Sequence, residues 1–328
     1  MDITDIEKIV SEKGRLIDKE IEKAFPRNGV PNLHDAVHYH LESGGKRIRP
    51  ALAILTCEAL GGDAKKIMPF AAACEVLHNW FLIHDDIEDS DRVRRNKPAV
   101  WVKYGLAHGV NIGDYMAHKV FELILSSDLP HETILALVRA EAETAIRTGE
   151  GQAMDMNMRS SRTPTEKEYL DVIMAKTGHY LTMPMVGGAI IAGHEEIIPR
   201  LIEYGRNIGP AFQITDDVLD LTKGKGRKET GRDIKEGKRS ILVVHCLGKC
   251  TRQEKERLIR ILNKPPEKTS AAEVKYARSL FEKHNSIEYA ISRAEEFSQT
   301  AKNVARTMPP KLRDILLFMC DYVMQRDN

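Results

Sequence analysis

The sequence predicts an all-α fold, a single-domain bundle of long helices spanning residues 1–328. Three observations carry this reading. Apolar residues recur at helical spacing, as at Ile134, Leu137, Val138, Ala142, Ala145 and Ile146, with Arg139, Glu141 and Glu143 between them. Alternating strand patterns of useful length are nearly absent. Breakers cut the chain at Pro26–Pro31, Gly61-Gly62, Asp128–Pro130, Arg159–Thr163, Gly224–Gly237, Pro265-Pro266 and Pro309-Pro310. Between them run helical segments of roughly 12 to 25 residues.

Taken in order, the N-terminal MDITDIEKIVSEKGR is a charged amphipathic helix with no apolar signal core. Phe70 to Ala73 and Met183 to Ala192 are low-polarity segments suited to line a cavity or fill a core. Thr163-Pro164-Thr165-Glu166 reads as a cap, a first-turn proline and a capping-box acid that open a helix. Val274 to Lys283 and Leu312 to Met324 carry further amphipathic patterns.

Composition excludes several classes. The chain is 42% hydrophobic, 30% charged and 6% aromatic, which rules out a disordered or collagen-like chain. Its net charge of +1 offers no global field for nucleic acid or an anionic membrane. The longest uncharged stretches, such as Met183 to Gly193, are about half a membrane span. Five dispersed cysteines fit a reducing interior, so a soluble cytoplasmic protein is expected. Cys246 and Cys250 lie four apart on a helix and read as buried thiols rather than a metal or redox pair.

One short pattern recurs. Asp85, Asp86 and Asp89, and again Asp216, Asp217 and Asp220, spell D-D-x-x-D. On a helix this spacing crowds three carboxylates into a sector of roughly 100°. Each triplet follows an apolar run, Phe81-Leu82-Ile83 or Ala211-Phe212 with Ile214. Like charges so placed repel, and next to apolar walls their pKa values rise unless a cation compensates. All-oxygen donors suit a hard cation, Mg²⁺ where phosphates complete the shell. Two such faces across a cavity would hold several Mg²⁺ ions with a diphosphate between them, and Lewis acidity would help that diphosphate to leave.

Cations stand close by in the sequence. Ser43-Gly44-Gly45-Lys46-Arg47-Ile48-Arg49-Pro50 joins two glycines to three cations. Arg92, Arg94, Arg95 and Lys97 follow the first triplet, and Lys223 to Arg239 carries eight Lys/Arg against three acids. No GxxxxGK[ST] occurs, so a P-loop is excluded. The charges together suggest one deep site with a metal-filled pocket and an arginine-lined pocket.

These motifs resemble the trans-isoprenyl diphosphate (polyprenyl) synthases, most of all short-chain members of archaeal and bacterial type. The matching segments are GGKRIRP at 44–50, HNWFLIHDDIEDSDRVRRNKPAVW at 78–101, GQAMD at 151–155, KT at 176–177, FQITDDVLD at 212–220 and GRDIKEGK at 231–238. The resemblance implies the isoprenoid synthase fold, with helices around a deep central cavity. It implies Mg²⁺, three ions per active site, on Asp85, Asp89 and Asp216, with Asp86, Asp217 and Asp220 coordinating or orienting metal waters. It implies that Arg94, Lys176 and Lys238 contact the allylic diphosphate, with Gln213 and Thr177 close by. Lys46, Arg49, His78 and Arg95 are expected on isopentenyl diphosphate. Lys228 lies near a family lysine position, but Arg227 stands where the family has glycine, and Asn96 replaces the glycine of an RRG triplet.

The implied reaction is head-to-tail condensation of isopentenyl diphosphate with an allylic diphosphate, in a homodimer. Trp80 and Phe81, five and four residues before Asp85, are expected to floor the chain-elongation tunnel, although neighbours on a helix diverge by ~100°. Two aromatics there favour a C15 product over C20. A class I terpene cyclase would need neither GGKRIRP nor a second DDxxD, and a non-catalytic partner subunit would tend to lose one aspartate motif.

Overall fold

The computed structural model describes residues 3–222 and 230–325. The order of helices is α1 (Ile3–Arg15), α2 (Asp18–Ala24), α3 (His34–Leu41), α4 (Ile48–Ala59), α5 (Met68–Glu88), α6 (Val100–Tyr104), α7 (Leu106–Leu125) and α8 (His131–Met158). There follow α9 (Glu166–Ile173), α10 (His179–Ala192), α11 (Ile198–Thr222), α12 (Arg232–Lys235), α13 (Ile241–Lys249) and α14 (Arg252–Leu262). The last are α15 (Ala271–Lys283), α16 (Ser286–Ala305) and α17 (Pro310–Gln325). Among the described residues, the β structure is one hairpin, β1 (Val93–Arg94) paired antiparallel with β2 (Lys97–Pro98). The all-α expectation is met.

The helices group into two compact units. Met1–Ala142 with Met183–Ile198 form the first, and Glu143–Thr182 with Pro199–Asn328 form the second. In the first, α5 is the central element and packs on α4 and α7. Its residues Phe70, Ala71, Ala72, Ala73, Cys74, Val76 and Leu77 are fully buried. The alanine run lets neighbouring helices approach. Gly187 of α10 lies so close to Phe70 that a Cβ there would meet the ring at 2.0 Å. Phe70–Ala73 and most of Met183–Ala192 are thus buried apolar structure. In the second unit, apolar faces of α9, α11, α13, α14, α15 and α16 share one core around Ile214, Leu258, Ala277 and Phe281.

Local chemistry sets the helix ends. Thr251 with Glu254 and Ser270 with Glu273 form capping boxes at α14 and α15. The helix after Pro164 starts two residues later than the sequence suggested. Thr165 is its N-cap and Glu168, not Glu166, closes the box. Pro164 therefore precedes the helix, because Thr165 supplies the extended cap conformation and has glutamate at the required third position. Segment lengths also depart from expectation: α8 has 28 residues, whereas α6 has five and ends at Gly105 with φ 95°. That positive φ is open to glycine, and it turns the chain into α7.

Glu141 of α8 breaks the apolar pattern. It is fully buried, and neither carboxylate oxygen has a hydrogen-bond partner among the described residues. Burial pushes its carboxyl up to about 8 from 4.5. The folded protein therefore holds a proton that the unfolded chain releases, and stability falls as pH rises from 4.5 to 8. The slope is about 1.4 kcal/mol per pH unit across that window. Replacing Glu141 with Leu should raise Tm at pH 8 and leave it little changed near pH 5. Thermal unfolding of both chains across this range checks the prediction, and parallel curves would refute it.

Candidate active site

The first aspartate triplet closes α5. Asp85 and Asp86 lie in its last turn and Asp89 is the C-cap. Ser90 follows with φ 57°, Asp91 N–H donates to Asp86 O at 2.7 Å and Ser90 N–H donates to Ile87 O at 3.1 Å. This is a Schellman end with serine where glycine is usual. The helix dipole is negative here, so it adds to the mutual repulsion of the three carboxylates. Arg94 in β1 offsets part of that charge. Its Nε donates to Asp86 Oδ1 at 2.8 Å, a second guanidinium nitrogen donates to the same oxygen, and Asp91 lies 3.7 Å away. Burial alone would lower the Arg94 pKa, but Asp86, Asp85 and Asp89 raise it above the ordinary arginine value.

The hairpin turn also places Arg95. Arg95 and Asn96 have φ of 50° and 62°, the pattern of a two-residue turn with both central residues left-handed. Asparagine tolerates that region, which explains how it stands where the family has glycine. Arg95 is held there despite the cost, and its Nη1 donates to Ser43 Oγ at 3.3 Å. The turn is thereby fastened to the GGKRIRP loop. In that loop Lys46 is exposed, Arg47 is the left-handed N-cap of α4, and Arg49 is in the first turn. Arg47 Nη1 donates to the buried Glu75 Oε1 at 2.7 Å. Arg49 instead sits at the positive end of its helix, where an anion is favoured.

Two imidazoles complete this basic group. His78 is held well below its ordinary pKa by burial, then by Arg49, Arg95 and Arg94. Buried His40 is lowered to about 3 by burial, Arg95 and Arg94. Both are neutral at physiological pH. The structure thus brings Arg49, Arg95 and Arg94 around His78, whereas the sequence expected Arg49, His78 and Arg95 in one pocket with Lys46, and Arg94 in the other with Lys176 and Lys238. His40 and the Arg47–Glu75 pair were not foreseen. A histidine four residues before the first glycine of the motif was their one legible signal.

One turn before Asp85, Trp80 and Phe81 stack face to face, with ring centroids 4.7 Å apart and an interplanar angle of 26°. Trp80 Nε1 donates to His84 Nδ1 at 3.3 Å. The adjacent side chains do not diverge as helical geometry alone suggests. Their rings turn together into one slab.

In the second unit, Asp216, Asp217 and Asp220 occupy the last two turns of α11, again at a helix C-terminus. Neighbours hold Asp217 and Asp220. Tyr169 Oη donates to Asp217 Oδ2 at 2.6 Å, and Gln213 Nε2 donates to Asp217 Oδ1 at 3.1 Å. Gln213 Oε1 accepts from Thr177 Oγ1 at 3.4 Å. Asp220 Oδ2 accepts the backbone N–H of Asp233 at 3.0 Å. Lys238 Nζ lies 3.4 Å from Asp233 Oδ1 and 2.7 Å from Glu236 Oε2. The expected residues Thr177, Gln213 and Lys238 are therefore linked to the triplet directly or through one residue. Lys228 lies outside the described residues. Tyr169 was missed, because a tyrosine amid a polar helix carries no motif.

Lys176 and Thr177 ride on an irregular turn. Met174–Gly178 is a π-helical segment between α9 and α10. Such turns are rare and concentrate at functional sites. Lys176 Nζ is 3.6 Å from Asp155 Oδ2, which gives the last residue of GQAMD a partner. Two glycines hold the turn in place. A Cβ on Gly151 would meet the Lys176 backbone N at 2.4 Å, and one on Gly209 would meet Gly178 Cα at 2.8 Å.

Each triplet fits a hard divalent cation by donor chemistry. Its donors are carboxylate oxygens throughout. The partners of Asp86, Asp217 and Asp220 are groups that hold an anion in orientation. Residues 30–280 match the profile of the family described as Polyprenyl synthetase.

The chain belongs to the polyprenyl synthetase family.

It is 34% identical over 335 residues, and 100% of both chains, to the short chain isoprenyl diphosphate synthase of Methanothermobacter thermautotrophicus. It is 37% identical over 289 residues, 86% of each chain, to the geranylgeranyl diphosphate synthase of Sulfolobus acidocaldarius. The crystal structure of geranylgeranyl pyrophosphate synthetase from Pyrococcus horikoshii matches with a TM-score of 0.90 and 33% identity, over 99% of each chain. The polyprenyl synthetases are Mg²⁺-dependent prenyltransferases of the isoprenoid synthase fold that use isopentenyl and allylic diphosphates. This chain is therefore a trans-prenyltransferase. Among the described residues, no helix is long and apolar enough to cross a membrane.

Gly151→Ala tests whether the close approach of α8 positions the π turn of this prenyltransferase. The atoms it would strike are backbone, so helix or turn must shift. A stability loss of about 1–3 kcal/mol is expected. If Lys176 contacts the allylic diphosphate as the sequence expects, the kcat/KM for that substrate should fall by on the order of tenfold or more as Lys176 moves. Gly149→Ala, with open space at its Cβ, is the control. Thermal unfolding and steady-state kinetics read both effects. If the two variants behave alike, α8 does not position the turn.

Proposed function

We propose that the protein is a geranylgeranyl diphosphate synthase, which condenses isopentenyl diphosphate head to tail with allylic primers up to C20. The observation that carries this is the pair of intact carboxylate triplets, each at the C-terminal end of a helix, in a chain whose named relatives include geranylgeranyl synthases. The earlier expectation of C15 over C20 gains no support from those relatives. The stacking of Trp80 on Phe81 also bears on it. Two aromatics counted separately suggest a shallow floor, whereas one slab is a single obstacle. A partner subunit or a terpene cyclase is disfavoured by the retention of all six acids together with GGKRIRP.

In this reading Asp85, Asp89 and Asp216 hold Mg²⁺, three ions in all, and Asp86, Asp217 and Asp220 are kept in orientation by their neighbours. Bound Mg²⁺ supplies Lewis acidity that draws charge from the bridging oxygen of the allylic diphosphate. Arg94, Lys176 and Lys238 neutralise that diphosphate, with Thr177 and Gln213 beside it. Lys46, Arg49 and Arg95 hold the isopentenyl diphosphate, and neutral His78 gives it a hydrogen bond without changing the charge. Buried apolar side chains before each triplet exclude water from the reacting carbons. The chain acts as one synthase domain and as a homodimer in the same proposal.

Asp85→Ala and Asp216→Ala should each lower kcat by about 10³-fold or more, since each ~1.4 kcal/mol of lost transition-state stabilisation is tenfold. Far-UV circular dichroism should show the helices retained. A variant within tenfold of wild type would remove the metal assignment.

Product length is read by chromatography after incubation with Mg²⁺, isopentenyl diphosphate and dimethylallyl, geranyl or farnesyl diphosphate. The wild-type product is expected at C20 from all three primers. Trp80→Ala and Phe81→Ala should each lengthen it, and the double variant should lengthen it most, because removing the slab opens space for further C5 units. A wild-type product that stops at C15 would overturn the C20 assignment. Unchanged lengths in all three variants would show that the slab is not the floor.

A further inference from the structure

Four side chains of the second unit converge at helix ends that prenyl transfer does not use. Cys246 lies in α13 and Cys250 is that helix's C-cap, with their sulfurs 3.4 Å apart. Glu254 is the capping-box acid of α14, and His284 is the C-cap of α15. One ligand atom each from Cys250, Glu254 and His284 lies within 4.8 Å of the other two. Within that set, His284 Nε2 is 3.2 Å from Glu254 Oε2. Cys246 is fully buried and Cys250 half-buried. The side chains of Glu254 and His284 each keep 14% of their exposure, so the group can be reached from solvent.

Against the sequence reading of Cys246 and Cys250 as buried thiols, we propose that Cys250, His284 and Glu254, with Cys246 as fourth donor, bind one borderline-soft divalent cation of the Zn²⁺ class. Sulfur, imidazole and carboxylate together are the donor set of such ions, whereas Mg²⁺ avoids thiols. Bonds of about 2.0–2.3 Å place tetrahedral zinc ligands roughly 3.3–3.8 Å apart. The S···S separation of 3.4 Å is about 0.4 Å below the upper end, which applies to two thiolates, and side-chain rotation has to close the distances within 4.8 Å that separate Cys250, Glu254 and His284. The capping box accounts for Glu254, which accepts from Thr251 N–H at 2.9 Å and from Thr251 Oγ1 at 3.0 Å. It does not account for two thiols and an imidazole arriving from other helix ends.

One feature of the surroundings favours a cation and one opposes it. Lys283 Nζ already lies 2.7 Å from Glu254 Oε1, so positive charge is favoured there, and its 61% exposed side chain can swing to the rim. Burial raises both thiols above their ordinary pKa, a cost that metal binding has to overcome. A bound cation displaces those protons, two thiols giving two H⁺ and two metal–sulfur bonds with no change of oxidation state.

The test is a Co²⁺ titration of the full-length chain, reduced with a phosphine and held in excess Mg²⁺ so that the aspartate triplets are occupied. A thiolate-to-cobalt charge-transfer band saturating at one equivalent per chain, and abolished by one equivalent of Zn²⁺, is the expected result. Cys250→Ser and His284→Ala should each weaken binding by on the order of hundredfold. Cys246→Ser should reduce the band to about half its intensity, because one of two sulfurs is lost. The wild-type chain is decisive by itself: without a charge-transfer band there is no such site. A band of unchanged affinity in Cys250→Ser would equally overturn it. Prenyl transfer is not the readout, so either result leaves the proposed function standing.

Discussion

Charge at helix ends of its own sign is the constraint on which the site depends. Asp85, Asp86 and Asp89 finish α5, and Asp216, Asp217 and Asp220 occupy the last two turns of α11. Arg49 does the reverse, in the first turn of α4 behind Arg47 at its N-cap. Each placement runs against the helix dipole, at about 0.3–1 kcal/mol per exposed charge and more where water is scarce. A chain selected for stability alone would exchange these residues between helix ends. As arranged, the acidic ends attract cations and the basic end attracts an anion, which suits the metal ions and diphosphates of the proposed reaction.

The protein offsets part of that cost without removing the attraction. Arg94 holds Asp86, while Tyr169 and Gln213 hold Asp217 and the Asp233 amide holds Asp220. In both triplets the held acids include the second aspartate of the pair. On the basic side Glu75 takes Arg47, and two neutral imidazoles fill the space among the arginines. A protonated histidine there would add repulsion, whereas a neutral one still donates a hydrogen bond. Polar contacts of this kind orient charged groups and limit their mutual repulsion.

The acids were legible in the sequence because a helix converts spacing into geometry. D-D-x-x-D on an apolar run gives a clustered face whatever the surroundings, and its second copy made chance implausible. GGKRIRP and RRNK were legible as cations, whereas their joining in one pocket was expected from the charge pattern and the family resemblance and not from any local geometry. Their meeting rests on the Arg95–Ser43 contact, and that contact rests on a hairpin of two-residue strands. So short an element has no periodicity to read. Thr165 was misplaced by two residues because Thr163 with Glu166 also satisfies the capping pattern, and local spacing alone cannot rank the two. The stacked orientation of Trp80 and Phe81 was likewise hidden. Backbone geometry sets where their Cβ atoms point, and packing sets where the rings go.

Acids and several of the cations are thus delivered by different kinds of backbone. Five of the six aspartates ride on regular helix and Asp89 caps α5, so an i, i+1, i+4 register sets the carboxylate spacing within each triplet, as the proposed metal ions require. Arg49 is on α4 and Arg94 on β1, but other cations arrive on irregular backbone. Arg47 and Arg95 are left-handed, at φ 51° and 50°, and Lys176 is on a π-helical turn clasped by Gly151 and Gly209. Strained or wide backbone of this kind costs of order 1 kcal/mol or more per residue and persists only where neighbours impose it. It allows Arg95 and Lys176 to be aimed independently of a helix register, which suits the dispersed oxygens of the diphosphates in the proposed reaction. Substitutions that relieve this strain should therefore be judged by substrate binding as well as by stability, because the strain and the aim of the cation share one cause.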